Sequence, residues 1–340
     1  MNMKFLKYTF LAATALSFIS ASAVAEVSLS GSSQFHYVNQ DPGSSTNGAS
    51  NDYFHNENVI DFTFTNKTES GLTIQMNSTL KSTDQNSTTT FVSDGANISI
   101  EGGFGIVTLG AQAGIGDSIS VTAADLIGLG STDGKAPSFY SSSGSLTSQQ
   151  ASLINIIDNE GSITYSLPKI GALTLGVSYK DAGSGTSNND DETVIAGSYE
   201  FTLGDVSGSV VYANNSIDGA TAGAGSLNSS SLGLAITSGP ISAIIAHAKD
   251  DQSTSIETEV NDYGISYAVN DQLTFGVTGT EVTESSGGET LDITSVAAQY
   301  AITNGLDAYL TYHDYDYAAG TSGATSDDGS AILLSLEATF

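Results

Sequence analysis

Hydrophobic and polar residues alternate one by one along much of this chain. In the C-terminal segment, Ile332, Leu334 and Leu336 are apolar, whereas Ser335 and Glu337 in the alternate positions are polar. A period of two residues predicts a β-strand with one apolar and one polar face. The same alternation recurs from residue 27 to the last residue, so the pattern predicts an all-β protein.

Sixteen segments follow this pattern, and most are close to the roughly 9–11 residues that a tilted strand needs to cross a bilayer. An even number of such segments is typical of bacterial transmembrane barrels. The predicted strands are 27–38, 55–66, 71–82, 93–102, 105–112, 160–168, 171–181, 192–203, 205–214, 229–238, 240–249, 259–269, 272–283, 290–303, 305–315 and 329–340.

The connections between these segments alternate between tight and long. Seven are tight, at residues 66–71, 102–105, 168–171, 204–205, 239–240, 270–271 and 304–305. Membrane barrels have this asymmetry, with short periplasmic turns and longer outer loops. The chain therefore reads as a closed 16-stranded antiparallel transmembrane β-barrel, because an open sheet edge in hydrocarbon would leave backbone groups unsatisfied. Sixteen strands enclose an aqueous channel, so we expect polar side chains to face water and apolar ones to face lipid.

One connection is far longer than the others. About 48 residues separate the strand ending at Gln112 from the strand starting near Glu160, and structureless connections beyond about 12–15 residues are usually functional. The segment contains apolar residues between 123 and 129, and Thr122 and Asp125 have the spacing of a capping box. We expect this third outer loop, residues 112–160, to fold into the barrel as a constriction. The alternative is a surface Ω-loop or a subunit contact.

The N-terminal residues 1–25 have the features of a secretory signal peptide. Lys4 and Lys7 precede an apolar run at 10–19, and Ala23 and Ala25 form a small-x-small cleavage site. We therefore expect export, with residues 26–340 as one barrel domain that ends on the aromatic Phe340.

The charge is strongly acidic. The whole chain has 8 Lys and no Arg against 37 Asp and Glu; without Lys4 and Lys7 the balance is 6 − 37 = −31. This argues against a nucleic-acid partner, since phosphate contacts need basic residues. No enzyme constellation is evident, because the chain has no cysteine and its four histidines are scattered without metal-ligand spacing.

Three acidic clusters fall in the predicted outer loops or at their ends. Oxygen-rich loops can hold Ca²⁺ or Mg²⁺, which could bridge carboxylates to lipopolysaccharide phosphates. No Ca²⁺-loop register is present, so these residues are weak metal candidates and solvated acids are the simpler interpretation. We expect no other cofactor. The candidates are Asp190, Asp191, Asp250, Asp251, Asp327 and Asp328.

Several stretches resemble the general trimeric porins of Gram-negative bacteria, particularly the alphaproteobacterial, Rhodobacter-like group. They are "EVSLSG" at 26–31, "GGFGIVTLGAQAGIGD" at 102–117, "SITYSLPKIGALTLGVSYKD" at 162–181 and the terminal aromatic. The resemblance implies a homotrimer in the outer membrane, a third loop folded inside as an eyelet, and a C-terminal Phe340 that the outer-membrane assembly machinery recognises.

In that family, loop carboxylates face arginines on the barrel wall, but this chain has no arginine. The matching loop acids are Asp117, Asp125, Asp133, Asp158 and Glu160. The strand periodicity places other ionisable residues on the pore wall, namely Lys81, Lys180, His36, His313 and Asp61. Because a lysine cannot reproduce an arginine cluster, we expect a net negative pore, which favours cations.

The sequence therefore predicts an outer-membrane porin for passive diffusion of small hydrophilic solutes and ions. Two alternatives stay open at this point. One is a substrate-specific outer-membrane channel, since loop geometry sets selectivity. The other is a secreted all-β adhesin or carbohydrate-binding protein.

Overall fold

A computed structural model of the chain describes residues 26–41, 51–84, 90–127, 160–181, 190–219, 227–253, 256–285, 287–320 and 326–340. Almost all of them lie in sixteen antiparallel strands, as the alternating pattern predicts. The strands are β1 (Glu26–Asp41), β2 (Asn51–Lys67), β3 (Thr73–Asp84), β4 (Thr90–Gly102), β5 (Gly105–Gln112), β6 (Glu160–Ser166), β7 (Leu173–Lys180), β8 (Asp190–Leu203), β9 (Val206–Gly219), β10 (Leu227–Ser238), β11 (Ile241–Ser253), β12 (Ile256–Ala268), β13 (Leu273–Glu284), β14 (Thr290–Thr303), β15 (Leu306–Ala318) and β16 (Asp327–Thr339).

Each strand pairs with its neighbours in sequence, and β1 pairs with β16 to close the barrel. At this seam the Gly31 N–H donates to the Phe340 carbonyl (2.9 Å), and the Phe340 N–H donates to the Gly31 carbonyl (3.0 Å). The last residue of the chain is therefore tied into the sheet by its backbone. Because the barrel is closed, no strand edge is left without a hydrogen-bonding partner strand.

The seven tight turns lie where the sequence predicts them, all at one end of the barrel. At the two-residue turn between β8 and β9, Gly204 has φ +61°, a conformation that glycine adopts without steric cost. The turn between β12 and β13 has no glycine. There the Asn270 side-chain oxygen accepts hydrogen bonds from the backbone N–H groups of Gln272 and Leu273, which closes the turn by another route.

At the opposite end the strands are longer than the sequence predicts. β1 continues to Asp41 and β9 to Gly219, and only two residues separate the end of β11 at Ser253 from the start of β12 at Ile256. The expectation of a long connection between β11 and β12 is therefore wrong. These strand ends are rich in hydroxyl and acidic residues and have no apolar face. The alternation of apolar and polar residues therefore does not reveal them, although their backbones pair.

The outward face of the barrel is apolar. Ile245, Ile265 and Leu334 are 57%, 52% and 54% exposed, which suits contact with lipid chains. Residues of the opposite parity, such as Asp262 and Ser266, are buried. None of the helices in the described part of the chain is long and apolar enough to span a membrane.

The inward face is not polar throughout, which corrects the expectation of a uniformly wet interior. A buried apolar cluster lies on the inward side of β11–β15 towards the end opposite the tight turns. In register it runs through Ala248, Val260, Val282, Leu291 and Tyr317. This part of the interior is packed with side chains rather than lined with hydrophilic groups.

Candidate functional site in the barrel interior

The first part of the long loop lies against the inner wall of the barrel. After β5 the chain forms a short helix α1 (Ile115–Ile119) and a 3₁₀ helix (Ala123–Leu126). α1 contacts strands β6–β9, and the 3₁₀ helix contacts β11–β13. We call the inward face of β7–β13 the loop-covered wall. The prediction that the loop folds into the barrel is confirmed for residues 113–127.

Two hydrogen bonds join this segment to the wall. The Ile115 N–H donates to the Ser178 hydroxyl on β7 (2.7 Å), and Ser178 is itself 2.7 Å from the Thr164 hydroxyl on β6. Eight residues further along the chain, Ala123 at the start of the 3₁₀ helix donates its N–H to Oδ2 of Asp262 on β12 (2.5 Å). Both wall residues are buried, so the loop backbone binds groups that are shielded from water.

Apolar side chains of the segment pack onto small wall residues. Ile115 is 4% exposed and forms a cluster with Val194, Ala196 and Ala213 of β8 and β9. Where the segment crosses the other strands, glycine occupies the inward position. The four pairs are Gly176 with Ile115, Gly233 with Val121, Gly264 with Leu126, and Gly276 with Ile127.

The predicted capping box is present. The Thr122 side chain accepts from the backbone of Asp125, and Asp125 Oδ2 accepts from the Thr122 N–H (3.0 Å). Asp125 and Asp117 are both exposed, so two of the five predicted loop acids lie inside the barrel with solvent access. Asp133 and Asp158 lie outside the described residues, and Glu160 is the first residue of β6.

Both lysines that the sequence places on the pore wall are held by carboxylates of neighbouring strands. The Lys81 ammonium lies 3.5 Å from Glu57 Oε1, and the Lys180 ammonium lies 3.7 Å from Glu192 Oε2. Asp61, another predicted wall residue, accepts a hydrogen bond from the Thr79 hydroxyl (2.6 Å). Neither lysine is therefore presented to the lumen as an isolated positive charge.

A second polar network crosses β15, β16 and β1. Glu337 accepts hydrogen bonds from Gln34 Nε2 and from the Tyr309 hydroxyl, both at 3.0 Å. His36 Nδ1 lies 2.7 Å from the Ser335 hydroxyl, and its Nε2 lies 3.3 Å from Gln34 Oε1. We call the carboxylates, amides, hydroxyls and imidazoles on the inward face of β15, β16 and β1–β3 the polar wall. Buried apolar residues, namely Val38, Ala331 and Leu333, lie on the inward face of the same strands.

The two histidines predicted on the wall do face the interior but are buried. His36 is 3% and His313 is 4% exposed, and His313 Nδ1 lies 2.7 Å from the Ser295 hydroxyl. His55 lies beside His36, with ring centroids 5.8 Å apart. These histidines are packed parts of the wall rather than groups that project into the channel.

The weak metal candidates lie on strands rather than in loops. Asp190 and Asp191 open β8, Asp250 and Asp251 lie on β11, and the other pair, 327–328, opens β16. Adjacent strand residues point to opposite faces, so the side chains of Asp250 and Asp251 diverge. Within the described residues, no group of three or more acidic or histidine side chains is arranged to hold a metal ion.

Sequence reasoning missed several residues of the interior. Asp262, Glu57 and Glu337 have the same strand parity as the residues that the sequence places on the pore wall, so alternation alone could have identified them as inward-facing. The four inward glycines of the loop-covered wall have the same parity signal. What alternation could not reveal is that a loop residue lies over each glycine.

Comparison with known proteins agrees with this architecture. The family model for the Gram-negative porin matches residues 12–328. A refined porin structure superposes with a TM-score of 0.66 at 15% identity, covering 93% of this chain and 100% of that one. A mutant of the Rh. blastica porin superposes with a TM-score of 0.64 at 15% identity, covering 92% and 100%. No curated protein matches by sequence.

The solved structures are too distant in sequence to show more than the fold. The family match covers most of the chain, and it agrees with a closed barrel of sixteen strands that surrounds a loop and a polar wall. Family and fold together indicate a channel and not an enzyme. This chain belongs to the Gram-negative porin family, whose members are outer-membrane channels.

Proposed function

We propose that this porin is a passive diffusion channel for small hydrophilic solutes and that it prefers cations. The observation that carries the proposal is the state of the wall charges. Lys81 and Lys180 are each bound to a carboxylate, so each positive charge is compensated by a neighbour. Among the described residues, the pore wall therefore presents no strong positive patch of the kind that attracts anions.

Two other inward carboxylates of the polar wall, Asp61 and Glu337, accept hydrogen bonds from neutral donors. Asp61 accepts from the Thr79 hydroxyl, and Glu337 accepts from an amide and a phenol. Neutral donors orient a carboxylate but leave its negative charge in place. Since rings of Asp and Glu favour cations in channels, the wall supports a net negative field in the lumen.

Reversal potentials in planar bilayers test this proposal. Purified protein is inserted under a tenfold KCl gradient at low ionic strength, where fixed charges are least screened. We expect discrete single-channel steps and a reversal potential of the sign given by K⁺ permeation. No channel activity would contradict the diffusion function, whereas a reversal potential of the opposite sign would contradict the cation preference alone.

The loop acids belong to the same proposal. Asp117 and Asp125 are exposed inside the barrel, which supports a role in the constriction. Asp133, Asp158 and Glu160 complete the proposed set from the sequence. Any dependence on divalent ions, at the acidic strand ends or at bound lipopolysaccharide, is measured by repeating the conductance experiment with a chelator.

The homotrimer expected of the family finds support on the outer surface. On β1–β3, the outward row Ser33, Asn58 and Ser82 is joined by hydrogen bonds of 2.8 and 3.3 Å. Many outward positions on other strands are large and apolar, such as Leu232 and Tyr267. An amide facing hydrocarbon is costly, so this patch suits contact with another protomer better than contact with lipid.

The variant Asn58→Leu addresses this interface. We expect it to shift detergent-purified protein from trimer towards monomer, measured by light scattering and by gel mobility without heating. Thr294→Leu is the matched control, because Thr294 is also a polar residue on the exterior, on the distant strand β14. A monomeric wild-type protein would contradict the proposed trimer. A trimer that Asn58→Leu leaves unaffected would show that the interface lies on another part of the barrel.

Two further parts of the proposal concern export and assembly. We propose that residues 1–25 are a cleaved signal peptide, which N-terminal sequencing of the mature protein tests. We also propose that Phe340 is recognised by the assembly machinery. Phe340 is 55% exposed beside the β1–β16 seam. The variant Phe340→Ala should therefore reduce the amount of barrel in the outer membrane, while its stability to unfolding in detergent stays close to that of the wild type.

A further inference from the structure

We propose that Asp262 is a positioning residue that holds the long loop against the barrel wall in the conducting state. It acts with Ser178 and with four glycines, and we call this set the docking track. The inference rests on the proposed channel function, because it concerns how the width of that channel is maintained. The docking track consists of Ser178, Asp262, Gly176, Gly233, Gly264 and Gly276.

The two polar contacts lie near the two ends of residues 113–127. At one end Ser178 is fully buried and accepts from the Ile115 backbone. At the other end Asp262 is 4% exposed, and its two oxygens accept from the Ala123 N–H and from the Thr280 hydroxyl (2.8 Å). If the loop left the wall, this buried carboxyl group would lose the Ala123 donor, and an unsatisfied buried acceptor is costly. The carboxylate therefore favours the docked loop.

The glycines show that the wall is shaped for this loop. A Cβ atom built at Gly176 would lie 2.6 Å from Cγ1 of Ile115, and one built at Gly264 would lie 2.8 Å from Cδ1 of Leu126. Real Cβ atoms are essentially never closer than 3.0 Å to a non-bonded heavy atom of another part of the chain. A side chain at either position would thus occupy space that the loop now fills.

Other strand glycines do not have this relation to the loop. A Cβ at Gly208 would meet the Phe201 ring, and one at Gly279 would meet the Tyr263 ring, so these residues relieve crowding between neighbouring strands. The glycines of the docking track differ because a loop side chain is among their nearest neighbours on four separate strands. A stretch of loop that is seated on β7, β10, β12 and β13 is a fixed lining of the channel and not a mobile gate.

Disulfide cross-links test whether the seated loop is the conducting state. The chain has no cysteine, so introduced pairs are unambiguous. From the 2.6 Å approach, a Cβ at Gly176 would lie within about 4 Å of the Ile115 Cβ, which is the separation that a disulfide needs. We expect Ile115→Cys with Gly176→Cys to cross-link on oxidation and to conduct like its reduced form. Failure to cross-link, or a cross-link that closes the channel, would overturn the proposal.

Two controls make that result interpretable. Ile115→Cys with Gly276→Cys places the cysteines at opposite ends of the docking track, so no cross-link should form. The shift in gel mobility between heated and unheated samples shows that each variant has folded as a barrel. Wild-type protein that forms no channels would instead refute the proposed function, while the cross-linking pattern would still report whether the loop is docked.

The role of Asp262 is tested by two substitutions that differ in hydrogen bonding. Asp262→Ala removes the acceptor, and we expect faster proteolysis of the loop by several-fold together with noisier single-channel currents. Asp262→Asn keeps one oxygen acceptor and should retain most of the protection. Glu281→Ala is the matched control, since Glu281 is an exposed carboxylate on the outward face that contacts the Tyr263 hydroxyl.

The two substitutions distinguish a role of the Asp262 hydrogen bond from a role of its negative charge. If Asp262→Asn loosens the loop as much as Asp262→Ala, the negative charge and not the hydrogen bond holds it, and the positioning role as stated is wrong. If neither substitution changes proteolysis or current noise, Asp262 has no role in docking. Protection in Asp262→Asn with loss in Asp262→Ala is the result that supports the proposal.

Discussion

The loop-covered wall and the polar wall follow the same alternation along their strands, yet their inward residues differ in kind. Beneath the loop, the inward positions are small, as at Ala196, Ala213 and Gly276. On the polar wall the corresponding positions hold groups such as Glu57 and Glu337. The inner face of a strand carries small residues where the loop covers it and charged or polar residues where water covers it. The period of two residues identifies the inward positions but does not show which of the two covers them.

Removing charge from the polar wall should have the largest effect. In the combined variant Glu57→Gln, Asp61→Asn and Glu337→Gln, three negative charges are lost and Lys81 loses its ion-pair partner. A unit charge about 4 Å from a passing ion contributes about 1 kcal/mol in water, roughly a fivefold bias. We therefore expect the cation preference to disappear or to reverse, as measured by the reversal potential in a KCl gradient.

The exterior of the barrel offers a control with the same number of charges. Glu281, Asp292 and Asp316 form an outward row in register across β13, β14 and β15. Neutralising these three residues changes the net charge of the protein equally but leaves the lumen untouched. An equal loss of selectivity in this control would show that overall charge, and not the polar wall, determines ion preference.

Much of the barrel could be predicted from sequence because strand pairing in a membrane has few alternatives. Once Leu334 and Ser335 are assigned to opposite faces, closure requires a partner for β16, and β1 is the available edge. The strand ends such as the one at Gly219 were underestimated, since they pair beyond the apolar belt, where alternation is not required.

The site was less accessible to sequence reasoning, for a physical reason. The capping box of Thr122 and Asp125 is local, and it was predicted correctly. The contact between Ala123 and Asp262 joins residues 139 positions apart, and no local pattern relates them. The ion pairs of Lys81 and Lys180 likewise depend on which strands are neighbours. Only the assembled barrel shows that each lysine charge is compensated by a carboxylate on the next strand.

Filling a glycine of the loop-covered wall should have the next largest effect. Gly276→Leu puts a side chain where Ile127 now packs, and overpacking of this kind typically costs about 1–3 kcal/mol. We expect the loop to be displaced towards the lumen, so that single-channel conductance falls to roughly half while ion selectivity changes little. Conductance in symmetric 1 M KCl measures this directly.

Gly161→Leu is the control for that substitution. Gly161 lies on β6, and a Cβ built there meets no atom within 4 Å, so the added side chain has open space. Its conductance should equal that of the wild type. If both variants reduced conductance alike, the cause would be a general weakening of the barrel, and the difference between the two walls would lose its support.

The smallest expected difference between the two walls is their response to salt, which needs no substitution. Electrostatic attraction at the polar wall acts through water, and the screening length falls from about 30 Å at 0.01 M to about 3 Å at 1 M ionic strength. The cation preference should therefore decline steadily over this range. Docking of the loop depends instead on the buried Asp262 and on packing against glycine, which salt screens far less, so protection of the loop from proteolysis should stay constant. A loop that became protease-sensitive in step with the loss of selectivity would mean that one set of exposed charges governs both properties, and the separation of a packed wall from a solvated one would then be wrong.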